Sequence, residues 1–166
     1  MPSPKFQSDV SVRGDLDLRL EDFFNGQCKA WGIFETRGGR LKNQFTVLTD
    51  GTWNGEQLEL KERVFYANGS RDERIWAIIK TGHNTYEGLT DGLQTKARGT
   101  VTGSHFQWKY RLSWRYKGRG WLTHFDDQMW LQDKNTLINR AIISKYGLKI
   151  GQAWLFFRRA TADPIP

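Results

Sequence analysis

Apolar and polar positions alternate with a period of two along most of the chain, the signature of strands with one face in water. In QLELKERVFY, Leu58, Leu60, Glu62, Val64 and Tyr66 share a face, and Glu59, Lys61, Arg63 and Phe65 share the other. In FQWKYRLSWRY, Phe106, Trp108, Tyr110, Leu112, Trp114 and Tyr116 oppose Gln107, Lys109, Arg111, Ser113 and Arg115. RIWAIIK puts Arg74, Trp76 and Ile78 in one row, and HFDDQMWLQD puts Phe125, Asp127, Met129 and Leu131 in another. CKAWGIFETRGGRLKNQFTVLTDG reads as a hairpin around two adjacent glycines, and NG, TGHN and KGRG mark further turns. LRLEDFF, at about residues 18–24, is the one stretch that suggests a helix.

Short turns let each strand pair with its neighbour in sequence. The pattern predicts an all-β protein: an up-and-down antiparallel β-barrel of about nine or ten strands with a short N-terminal helix. One domain over residues 18–160 is expected, between an N-terminal extension (1–17) and a C-terminal tail (161–166). Gly32, Gly88, Gly99 and Gly103 lie in or beside strands, where glycine marks a bulge or bend. By periodicity Trp31, Trp53, Trp76, Trp108 and Trp114 are assigned to the core.

Composition narrows the class. Eight Trp, ten Phe and five Tyr in 166 residues supply a core that a disordered chain lacks. No apolar run reaches the length of a membrane helix. MPSPKFQSDV has no basic start followed by an apolar stretch, so a cytoplasmic location is expected. Cys28 is the sole cysteine, which leaves no disulfide partner and no cysteine cluster for a metal. The net charge of +7 equals the seven cations of residues 96–119, a stretch with no acid. That stretch reads either as a solvated strand face or as a surface for anions, including peripheral contact with lipid headgroups. Nucleic acid is not expected as a partner. Alternation sorts rings and cations onto opposite faces, whereas single-strand binding needs them on one.

Candidate chemistry lies on the inward rows. Glu62 shares its face with Leu60 and Val64, and a buried carboxylate is costly unless paired. Hairpin pairing sets Tyr66 roughly opposite Arg74, with Glu62 two pairs further on. Pairing about KGRG sets Asp127 near Leu112 and Tyr110. Glu62, Arg74, Tyr110 and Asp127 are therefore expected to form one internal polar cluster. Three readings follow: an ion-pair network that fixes register, an anchor for the polar head of a ligand, or acid–base chemistry at Glu62 or Asp127. Tyr66, Arg74, Trp76, Tyr86, Trp108, Tyr110, Phe125, Met129 and Asn139 are the candidate ligand-contacting residues. His83, His105 and His124 have no metal-ligand spacing and are assigned to the surface, so no metal is expected. No phosphate loop, dinucleotide fingerprint, nucleophile elbow or haem-attachment motif occurs, and no cofactor is expected. The partner expected is a small hydrophobic or amphipathic molecule.

Five motifs together resemble one bacterial family of unknown function, domain of unknown function 3833, over about residues 20–159. They are Phe24, Gly26, Gly32 and Phe34; Leu58, Leu60 and Glu62; Arg74 and Trp76; Phe125, Asp126, Asp127 and Met129; and Asn139 with Arg140. The resemblance implies a lipocalin-like (calycin-type) barrel. Many members of that family look like lipoproteins, and some stand beside lipid-modifying enzymes. This chain departs from them in lacking a lipobox cysteine and an apolar leader, so membrane anchoring does not carry over. Gln128 stands where the family's motif has Trp. The family name supplies no reaction; the inward residues suggest binding of a lipid-like molecule, or an isomerase, cyclase or dehydratase acting on one in the same cavity.

Overall fold

The computed structural model of the chain describes residues 15–116 and 118–160, with the backbone alone for 114–116. These residues form ten strands: β1 (Gly26–Thr36), β2 (Leu41–Trp53), β3 (Gln57–Tyr66), β4 (Arg71–Lys80), β5 (Thr85–Leu89), β6 (Ala97–Thr102), β7 (His105–Tyr116), β8 (Arg119–Asp133), β9 (Thr136–Lys145) and β10 (Leu148–Arg159). Each pairs antiparallel with the next, and β10 pairs with β1, so the sheet closes into the expected up-and-down barrel. Each strand has a neighbour on both sides, and where the short β5 and β6 end, the β5–β6 loop bonds to β7 in their place. Most of the expected extension (1–17) and the whole tail (161–166) lie outside the described residues, as do the side chains of Trp114 and Tyr116. Among the described residues no helix is long and apolar enough to cross a membrane.

The hairpin loops alternate between two ends. The β1–β2, β3–β4, β5–β6, β7–β8 and β9–β10 turns surround one end, the mouth, and α1 (Leu20–Phe23) lies across the other, the base. A four-residue helix has little stability of its own, so packing holds it. Leu18, Leu20, Phe23 and Phe24 are buried, and Phe24 meets Phe157 edge-on at 5.5 Å. The Phe24 carbonyl lies over Gly51, where a Cβ would come within 1.8 Å of its oxygen. Glu21 turns back into the barrel floor, where Lys80 donates to Oε1 and the Tyr86 hydroxyl donates to Oε2 at 2.5 Å. Those bonds outweigh the cost of burial and hold the Glu21 carboxyl below its ordinary value.

Several expectations need correction. Trp31 is 46% exposed and points outward, because the inward set of β1 is Cys28, Ala30 and Gly32. Small inward residues hide the alternation, and the larger outward ring imitates a core position. Trp31 instead joins an external row in which Phe65, Thr46, Trp31, Phe156, Ile138 and Trp130 are successive cross-strand partners. Gly32, Gly88 and Gly99 are not bends but seats for rings. A Cβ would come within 2.4 Å of Phe45, 2.4 Å of Trp108 and 2.3 Å of Phe106 respectively. The register breaks lie elsewhere, at Phe34/Glu35, Leu131/Asp133 and Lys149/Gly151.

The basic stretch also changes character in three dimensions. Glu87 on β5 reaches Lys96 at 3.4 Å and Arg98 at 3.6 Å, and Asp126 on β8 lies 3.8 Å from Lys109. Acids from adjacent strands thus stand among cations that have none beside them in sequence.

Candidate functional site

The inward rows of β2–β4 and β7–β10 enclose a cavity of about 460 Å³ above the α1 plug. One wall is aromatic. Trp76 lies 5.0 Å from Trp108 and meets Tyr110 edge-on at 5.3 Å; Tyr110 stacks on Phe125 at 5.0 Å. Phe106 backs Trp108 at 5.3 Å, and the bare backbones of Gly88 and Gly99 let these rings lie flat against the wall. Leu60, Val64, Met129, Ala141 and Leu155 complete an apolar lining.

The polar groups converge on this wall. Glu62 and Arg74 are direct partners in the β3–β4 ladder, in place of the expected Tyr66–Arg74 pair. Tyr66 N–H donates to the Ser70 carbonyl and so closes the turn. Asp127 pairs with Trp108, two residues from the expected Tyr110, because Tyr116 and Arg119 are already partners across a tight turn. Both shifts are even, and an even shift keeps every side chain on its own face. The cluster therefore forms as expected, with different nearest neighbours.

Asp127 is buried and satisfied. It accepts the Tyr110 hydroxyl on Oδ2 at 3.0 Å and Asn139 Nδ2 on Oδ1 at 3.0 Å. Asn139 Nδ2 also donates to the Gln128 carbonyl at 2.9 Å, which fixes the amide. Burial pushes the Asp127 carboxyl up, opposed by Asn139, Tyr110 and the nearby Trp108 indole. The Trp108 N–H stabilises that charge from close by, but meets no acceptor in hydrogen-bond geometry. Burial and the Asp127 charge hold the Tyr110 phenol well above its usual value, so its hydroxyl stays a donor.

Glu62 is different. It borders the cavity and keeps some accessible surface, yet burial, followed by the Asp127 charge, pushes its carboxyl up to about 7. Arg74 and the Trp76 indole pull the other way and do not win. The Arg74 guanidinium turns toward the β5–β6 loop, where Nη1 donates to the Asp91 carbonyl at 2.8 Å and to Thr90 Oγ1 at 3.3 Å. None of the ion pairs among the described residues involves Glu62. Two carboxyls thus share one apolar site, one tied down by donors and one outside any ion pair.

The remaining predicted residues divide. Trp76, Trp108, Tyr110, Phe125, Met129 and Asn139 line the cavity, and Tyr66 lines it toward the mouth with Phe45 at 5.8 Å. Tyr86 does not line it; its ring lies under Phe106 at 5.9 Å and its hydroxyl serves Glu21 at the base. Asn43 and Asp72 at the mouth escaped notice, although each alternates in phase with inward residues (Phe45 and Val47, Arg74 and Trp76). Glu21 had no such signal, since it sits on a helix too short to show a period. His83 and His124 are exposed, and His105 stacks outside on Trp130 at 5.4 Å, so no histidine lines the cavity. Among the described residues no three His, Cys, Asp or Glu side chains are grouped to hold a metal ion. A shallower depression of about 670 Å³ crosses the outer wall beside Trp31, Phe65 and Phe156. It has no charged side chain in its lining. The interior cavity combines broad ring surface with the buried Asp127 carboxyl and the half-buried Glu62 carboxyl.

Comparison with known proteins agrees with this architecture. The profile of the family described as "Protein of unknown function (DUF3833)" matches residues 8–159, and the chain belongs to that family. No curated protein matches it. Among solved structures, an S-type phycobiliprotein lyase from Guillardia theta superposes with a TM-score of 0.63 at 10% identity, covering 88% of this chain and 95% of the other. A protein of unknown function of the DUF3598 family from Nostoc punctiforme gives 0.60 at 11% identity over 87% of this chain, which spans half of that protein. At such identities the likeness is one of fold, a lipocalin-like barrel.

Proposed function

We propose that this member of a family of unknown function binds a small apolar or amphipathic molecule inside its barrel. The rings of Trp76, Trp108, Tyr110 and Phe125 would bury the ligand's body, and Glu62, Asp127, Tyr110 and Asn139 would orient its polar end. One observation carries the reading: an aromatic cavity of about 460 Å³ holds a carboxyl with no ion-pair partner. That volume falls within the range of small-molecule sites. A network that merely set the register would place the Arg74 guanidinium on Glu62, but Arg74 serves Thr90 and Asp91 instead. The fold neighbour named as a phycobiliprotein lyase supports a working cavity in a barrel of this shape, without naming a ligand for this chain.

A second reading is supported by Glu62 itself. A carboxyl held at about 7 in an apolar site gives and takes protons near neutral pH. The same cavity would then isomerise, cyclise or dehydrate its ligand, with Glu62 or Asp127 as acid or base.

Native mass spectrometry of the purified protein, with solvent extraction of whatever travels with it, tests the proposal. One small molecule per chain is expected. Ala141→Phe, which fills the cavity from β9, should exclude it while the circular dichroism stays that of a barrel. An empty wild-type protein that also binds no fluorescent apolar reporter refutes the reading. Turnover of the extracted molecule separates the two forms: an enzyme converts it and loses that conversion in Glu62→Gln, and a carrier returns it unchanged in either protein.

A further inference from the structure

We propose that the polar end of the ligand is a cation, a protonated amine or comparable nitrogen, that docks beside Glu62 and Asp127 within the Trp76–Trp108–Tyr110 ring cluster. The inference rests on the reading of the cavity as a ligand site and adds the chemical class.

The charges around the cavity argue for it. The acids in its lining are Glu62, Asp72 and Asp127, and the cations are Lys42 and Arg74. Lys42 is exposed at the rim of β2, and Arg74 is engaged by Thr90 and the Asp91 carbonyl. Facing Glu62 are Asp72 and Arg74 from β4, Tyr110 from β7, Asp127 from β8 and Tyr66 from its own strand; its partner on β2, Thr49, is uncharged. The acids outnumber the cations, and among the described residues Glu62 forms no ion pair, Arg74 acting on it only from a distance. An anionic head would add a third negative charge beside Glu62 and Asp127. A neutral head would leave Glu62 as it is. A cation supplies what is missing and meets ring faces as well, the pairing by which aromatic cages select ammonium groups.

The proposal has a proton signature. Glu62 holds its proton over part of the population near pH 7, and an ammonium group must displace it to make the ion pair. The proton leaves to solvent through the mouth. Amine affinity should therefore rise about tenfold between pH 6 and pH 8 and then level off. Aliphatic alcohols and carboxylates should show no such rise.

The test uses three ligands of equal length, n-octylamine, n-octanol and octanoate, titrated into the full chain by calorimetry or tryptophan fluorescence at both pH values. Octylammonium is expected to bind at least about tenfold tighter than octanol at pH 8, and octanoate weakest of all. Glu62→Gln should bring the amine down to the level of octanol. The wild-type pH comparison needs no variant, and Asp127→Asn gives a second reading of the same preference. Octanoate binding tightest, amine and alcohol binding equally, or an amine affinity that ignores pH would each overturn the cation assignment while leaving a ligand site intact. Failure of all three to bind would overturn the cavity reading along with it.

Discussion

Replacing Glu62 by Gln removes a charge and keeps a shape, and its effect on stability reverses between two accounts of this barrel. The folded chain holds the Glu62 carboxyl at about 7, against an ordinary value of 4.5. A folded value above the unfolded one means that the native state binds the proton more tightly. The resulting stabilisation is complete below pH 4.5 and is lost as pH rises through about 7. The gap amounts to about 3 kcal/mol of stability at pH 8, with about 2 kcal/mol already gone at pH 6. Gln carries no such cost. Urea denaturation from pH 5 to pH 8.5 should therefore show wild type losing ground steadily, with Glu62→Gln more stable by about 3 kcal/mol at pH 8 and within about 1 kcal/mol at pH 5. In thermal unfolding the pH 8 difference corresponds to about 6–12 °C for a chain of this size. Curves for the two proteins that run parallel across the range would refute the argument. A variant less stable than wild type at pH 8 would show that Glu62 is ion-paired after all, because an ion-paired carboxyl has a lowered value and the opposite sign.

Two further changes test the scaffold. Gly99→Ala sets a methyl group 2.3 Å from Phe106 and 3.1 Å from Trp108. It should cost about 2 kcal/mol in denaturant melts and weaken any ligand that lies against Trp108; an unchanged midpoint would show that the rings can retreat. Lys80→Met strands the buried Glu21 carboxylate and should destabilise the fold by about 3 kcal/mol at pH 7. Because the folded Glu21 value is lowered, this contribution is present above pH 4.5 and lost as pH falls through the folded value. The penalty should thus shrink as the solution is acidified below pH 4.5, and a penalty that does not shrink would contradict the role given to the pair.

Much of the barrel was legible because alternation survives errors of register. The inward row of β7 is Phe106, Trp108, Tyr110 and Leu112 whether Asp127 pairs with Trp108 or with Tyr110, since both lie on one face. Closure followed from short turns between sequence neighbours. What misled was size. In β1 the inward positions carry Cys28, Ala30 and Gly32 while Trp31 points outward, so the larger ring drew the core assignment. The glycines were misread for a related reason. Gly88 and Gly99 look like bends along the chain, but the space they leave is filled by rings from β7, a relation that exists only across the sheet.

The site shows the same limit more sharply. Alternation placed Glu62, Arg74, Tyr110 and Asp127 on one inner surface, and the ladder makes Glu62 and Arg74 direct neighbours. Adjacency argues for an ion pair. Whether one forms depends on the other end of the Arg74 side chain, and there the β5–β6 loop offers the Asp91 carbonyl at 2.8 Å and Thr90 Oγ1 at 3.3 Å. Oxygens of a loop sixteen and seventeen residues away thus compete with a carboxylate directly opposite. No periodicity in the sequence encodes that competition, because loop conformation has no period. Its outcome decides what the cavity is: with Arg74 on Glu62 both carboxyls are tied down and the cluster is structural, and with Arg74 on the loop Glu62 stays outside any ion pair among aromatic rings. Restoring the pair is therefore an informative manipulation. Any change that frees Arg74 from Thr90 and Asp91 should lower the Glu62 value and abolish its pH-dependent cost, turning the site into the structural network that adjacency alone suggests.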